Sequence, residues 1–125
     1  MKKGRLHKLK DDLLEHCKLD YVGLWVVFST VREGLLMEND NEVKKASLEV
    51  IRDLLEDGLV VVGDIDWELE ILVPWTSEPK ETLARIREEW DRIGRDPDHL
   101  EICWLTTTQK GDRWVEEHME NAPTN

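Results

Sequence analysis

The sequence predicts an α+β fold, a helical domain carrying one small antiparallel β-hairpin. Three observations lead there. Apolar residues recur at intervals of three and four in several separated stretches, two short β-branched runs flank an acidic segment, and Gly58 and Gly94 stand where helices would stop. At 125 residues the chain has the size of a single domain, residues 1–125, able to bury roughly 60–70% of its unfolded surface.

An N-terminal helix occupies residues 1–18, with its pattern clearest over 5–18. Leu6, Leu9, Leu13, Leu14 and Cys17 form one stripe, and Lys8, Lys10, Asp11, Asp12 and Glu15 lie outside it. Residues 20–33 are apolar nearly all round through Leu24, Trp25, Val26, Val27, Phe28 and Val31. Their length and the Gly34 stop favour a buried central helix over a strand. Asn39 with Glu42 approximates a capping box for a helix reaching about Asp57, whose inner face is Val43, Ala46, Val50, Ile51, Leu54 and Leu55. Ser47 offers a second cap, so one helix or two remains open over residues 43–57.

The hairpin strands are residues 59–62 and 69–73, joined through Gly63, Asp64, Ile65, Asp66, Trp67 and Glu68. Pro74 ends the second strand, and Thr76 or Ser77 is the expected cap of a helix packed through Leu83, Ile86, Trp90 and Ile93. Residues 100–105 read as a short strand or turn of core. Thr106 with Gln109 then fits a capping box opening a last helix, which turns Trp114, Val115, His118 and Met119 inward. Residues 120–125 are expected to be a flexible tail.

Charge narrows the function. There are 28 acidic and 17 basic residues, a formal net charge of −11. Residues 1–18 hold six Lys/Arg and three Asp/Glu, so the remainder holds 11 basic and 25 acidic groups, a balance of −14. Such a body repels phosphates, which makes nucleic acid an unfavourable partner and a basic protein a favourable one. Apolar runs such as residues 24–28 are too short to span a bilayer. The basic start is followed by polar residues 6–11 rather than an apolar signal segment, so a cytoplasmic location is expected. Cys17 and Cys103 lie in half-buried segments far apart in the chain and read as reduced thiols.

No catalytic or metal signature is present, and no cofactor is expected. His7, His16, His99 and His118 lack ligand spacing, and the apolar neighbours of Cys103 argue against an activated nucleophile. The densest constellation is Asp64, Asp66, Glu68 and Glu70, which an extended chain would place on one face opposite Ile65, Trp67 and Leu69. It lacks the glycine and spacing of a calcium loop. It fits a solvated face, a contact surface for a cation-rich partner or, less well, a site that collects a divalent cation. Glu49, Asp53 and Glu56 share a helical face through spacings of four and three, and the candidate partner-binding set is these seven carboxylates with Trp67 as anchor. Of the six tryptophans, Trp25, Trp90, Trp104 and Trp114 are expected on inner faces, and Trp67 and Trp75 beside the hairpin.

Three helices followed by a hairpin, with Leu54-Leu55-Glu56-Asp57-Gly58-Leu59 at the junction, resemble the winged-helix order over about residues 20–73. A DNA-reading regulator is therefore one alternative reading, with Lys2, Lys3, Arg5, Lys8 and Lys10 as its phosphate contacts, and a protein-interaction module is another. The same junction, together with Pro74-Trp75, Ile86-Arg87-Glu88-Glu89-Trp90 and Ile102-Cys103-Trp104-Leu105-Thr106-Thr107-Thr108-Gln109-Lys110-Gly111, resembles another group. These are the small acidic bacterial proteins encoded beside polymorphic toxins, including immunity proteins of contact-dependent growth inhibition. That resemblance covers about residues 48–111. It implies binding of a cognate toxin domain, often a basic nuclease, and it carries over no catalytic residue.

Overall fold

The computed structural model describes residues 2–98 and 101–120, with the side chains of 8–98 and 101–118. The fold is α+β, as the sequence predicts. Helix α1, Lys2–Leu19, turns Leu9, Leu13, Leu14 and Cys17 into the core. The stretch expected to be one central helix divides into a two-residue strand, β1, Val22–Gly23, and helix α2, Leu24–Gly34. The division sets the phase of α2. Leu24, Val27, Phe28 and Val31 are buried, whereas Trp25, expected inside, is 46% exposed. Gly34 belongs to α2, which ends through Leu35 and the left-handed Leu36 at φ 54°.

Helix α3, Asp40–Glu56, is one continuous helix. Asn39 caps it by accepting a hydrogen bond from the Glu42 amide at 3.0 Å. Ser47 does not start a second helix, because it is buried and its hydroxyl donates back to the Val43 carbonyl at 2.7 Å. Gly58, at φ 72°, ends α3 in the left-handed conformation that favours glycine.

The hairpin is β2, Val60–Asp66, and β3, Ile71–Pro74, paired antiparallel from Gly63↔Pro74 to Asp66↔Ile71. The first strand is therefore longer than expected and the tip shorter, residues 67–70. Helix α4, Pro79–Ile93, begins at Glu78, which forms a reciprocal capping box with Glu81. Ser77 instead exchanges a hydroxyl hydrogen bond with buried Thr82, so neither Thr76 nor Ser77 is the cap. Gly94 closes α4 at φ 67°.

Strand β4, Trp104–Thr107, lies between β1 and β2 in a four-stranded sheet of order β1-β4-β2-β3. The hairpin is thus half of a sheet completed by one strand from before it in the chain and one from after it, and not a free-standing wing. Pairing with Val60 and Val61 holds Thr107 and Thr106 in that strand. The cap of helix α5, Gln109–Val115, consequently moves from the expected Thr106 to Thr108, whose hydroxyl oxygen accepts from the Gly111 amide. A π-helical turn, Glu116–Glu120, follows α5. Val115 is buried, but His118 is exposed and stacks on Trp114 at 4.2 Å. Leu100, part of the expected strand, and the tail residues 121–125 lie outside the described residues, as does the side chain of Met119.

The core lies on one face of the sheet, where Val22, Val60, Val62 and Leu105 meet the helices. Trp90 anchors α4 there, 3% exposed, with its ring 5.7 Å from that of Phe28. Both cysteines are free, and burial pushes the Cys17 thiol up to about 12 and the Cys103 thiol higher. Among the described residues no helix is long and apolar enough to cross a membrane.

Candidate functional site

Strand alternation governs where the hairpin carboxylates go. Along β2, Asp64 and Asp66 continue the face of Val60 and Val62 past the edge of the core, beside exposed Val73 and Ile71 on β3. The alternation stops at Asp66, so the expected four-carboxylate comb is broken by the turn. Asp66 closes that turn by accepting from the amides of Glu68 at 3.0 Å and Leu69 at 3.2 Å. Glu70 completes it at φ 56°, a left-handed conformation that a non-glycine residue adopts at a cost.

Asp64 is committed to the fold. Its carboxylate accepts from the Trp75 indole N–H at 2.9 Å and lies 3.9 Å from Arg85, whose guanidinium sits 3.6 Å over the Trp75 ring. Asp53 is committed too, because Lys10 of α1 reaches it at 3.3 Å and Arg52 at 3.4 Å. Asp53 thus answers to α1, while Asp64 answers to Arg85 on α4. Glu49 is half-buried and Glu56 exposed. The eight expected contact residues therefore divide between two neighbourhoods, α3 and the hairpin.

At the hairpin tip, Trp67 is 61% exposed, and Glu68, Leu69 and Glu70 are exposed beside it. Among the described residues no cation pairs with Asp66, Glu68 or Glu70. Trp67 folds over the outer face of the sheet and meets Trp104 edge-on, with centroids 5.8 Å apart and planes at 80°. Together with Asp20, Tyr21, Ile65 and Glu70 they line an open cleft of about 260 Å³.

The floor of this cleft follows from register. Trp104 is paired with Gly23 on one side and Gly63 on the other, so neither neighbour covers its indole. Gly63 is required for a second reason: a Cβ there would stand 2.1 Å from the Val73 carbonyl oxygen. Asp20, whose carboxylate accepts from the Tyr21 amide at 2.7 Å, was not among the expected site residues. Only pairing between β1 and β4, residues about eighty positions apart, brings it here.

The outer edge of β3 is a weaker docking feature. The Trp75 amide donates to the Val62 carbonyl at 2.9 Å, so Ile71, Val73 and Trp75 turn their backbone groups toward β2. Leu72 and Pro74 are left facing outward, and proline has no N–H to offer an added strand.

Among the described residues no group of three or more His, Cys, Asp or Glu could hold a metal ion. Comparisons with protein-family models, with curated proteins and with solved structures find no match to the chain. The geometry of the tip and cleft is thus the basis for a functional reading.

Proposed function

We propose that this chain is a toxin-neutralising immunity protein of the cytoplasm, which binds a basic toxin domain, of nuclease type, through the acidic tip of its β2–β3 hairpin. The observation that carries this reading is the exposed Trp67 flanked by Glu68 and Glu70, which no cation among the described residues pairs with, on a body whose charge balance is −14 after residue 18. An exposed aromatic with a charged rim is the form of a binding anchor. Carboxylates on a net negative body attract a cleft built to hold nucleic-acid phosphates, and they accelerate docking by electrostatic steering.

The regulator reading draws less support. Of its phosphate contacts, Lys10 is already paired with Asp53, and the outward face of α3 carries Glu49 and Glu56. The test is to coexpress the chain with the toxin domain encoded beside its gene, score growth, and measure association at increasing salt. Rescue of growth with an association rate that falls steeply as salt rises is expected. Absence of protection, or an association rate indifferent to salt, overturns the proposal.

A further inference from the structure

Resting on the reading of a basic partner, we infer that the cleft between Trp67 and Trp104 receives an arginine side chain of that partner, with Asp20 and Glu70 pairing to its guanidinium. Three features of the cleft select this occupant. Its walls are aromatic, from Tyr21, Trp67 and Trp104, with Ile65 as the aliphatic member. An edge-on contact uses at most one face of one indole, which leaves other ring faces for a flat cation. Among the described residues its rim carries two carboxylates and no cation.

Size and charge exclude the other occupants. A volume of about 260 Å³ falls below the range of roughly 300–1,000 Å³ typical of small-molecule and cofactor pockets, and the cleft opens to solvent instead of enclosing a ligand. A second copy of this chain would bring another net −11 body against the same carboxylates. A phosphate-bearing ligand meets the same repulsion. A guanidinium satisfies both halves of the site, because it stacks on aromatic faces and donates in a fork to carboxylates.

The probe is acetyl-arginine amide, titrated into the ¹⁵N-labelled chain at constant ionic strength, with the citrulline analogue as the neutral isostere. The indole N–H resonances of Trp67 and Trp104 should shift in a saturable way with arginine and remain still with citrulline. Trp67→Ala and Glu70→Gln should each weaken the arginine titration roughly three- to tenfold. Trp67 is mostly exposed and Glu70 sits in a turn, so the amide spectrum of each variant reports whether it stays folded. Citrulline shifts equal to those of arginine, or arginine shifts confined to other residues, overturn the inference. Its failure is separable from failure of the immunity reading. A toxin complex undiminished by Trp67→Ala sinks the cleft alone, and saturable arginine binding by a chain that protects against no toxin sinks only the function.

Discussion

The Trp75 indole N–H donates to the Asp64 carboxylate at 2.9 Å, which makes the first acidic residue of the hairpin a structural part of the β2–α4 corner. Removing it by Asp64→Ala should cost about 1 kcal/mol, a modest amount because Asp64 is exposed and its pairing with Arg85 is screened. Urea unfolding checks this. An unchanged midpoint would mean that the Trp75–Arg85 stack stands without its carboxylate.

Trp90→Ala should be far more damaging. Trp90 is buried against Phe28, and truncating a buried tryptophan costs about 3–5 kcal/mol. For a chain of this length the thermal midpoint should fall by about 10 °C or more, read by circular dichroism. A shift of only a degree or two would contradict the placement of α4 on the core.

How much of this was legible beforehand depended on whether the cause was local. Asn39, Gly58 and Gly94 bracket helices through their own backbone chemistry, and the seam of Ile86 and Trp90 follows from helical spacing, so α3 and α4 could be read directly. Strand β4 could be read only in part: Trp104 and Leu105 fall within the expected strand or turn, but Thr106 and Thr107 are drawn from a helix cap into the sheet by partners at Val60 and Val61, about forty-five residues earlier. Trp25 was misplaced because β1 sets where α2 starts, and a two-residue strand leaves no periodic trace. The exposed acidic tip was visible as composition. The commitment of Asp64 to Trp75, and the meeting of Trp67 with Trp104, depend on tertiary register.

Glu70 adopts φ 56°, so Glu70→Gly should relieve left-handed strain and raise stability by up to about 1 kcal/mol. The same change removes a carboxylate from the cleft rim and should weaken partner binding. Calorimetric unfolding and binding measured on one preparation check both signs. A variant that is less stable would mean that the Glu70 side chain supports the turn.

Glu101 predicts a feature of the acid limb. Two hydrogen bonds from Arg95, at 2.7 and 2.9 Å, and one from the Asp98 amide hold its carboxyl down to about 2, below the ordinary value of about 4.3. Because the folded value is the lower one, the stabilisation is fully present above pH of about 4.3 and is lost as pH falls toward about 2. A carbon-detected NMR titration of Glu101 should show its midpoint near 2, moving up toward the ordinary value in Arg95→Ala. A midpoint already at the ordinary value in the wild type would show that the Arg95–Glu101 pair does not persist in solution.

The central claim is that the hairpin tip is the contact surface for a basic partner. Asp64 and Asp66 are poor sites for testing it, since both also hold the fold. Glu68 and Glu70 are exposed and pair with no cation among the described residues, so reversing their charges probes the interface with little disturbance to the core. The decisive measurement is the affinity of the toxin domain for Glu68→Lys/Glu70→Lys at physiological salt, set beside growth protection by the same variant. The account predicts a folded protein whose affinity falls by about a hundredfold, through slower association and faster dissociation, and which no longer protects. A folded double variant with wild-type affinity and full protection would contradict it and place the interface elsewhere on the molecule.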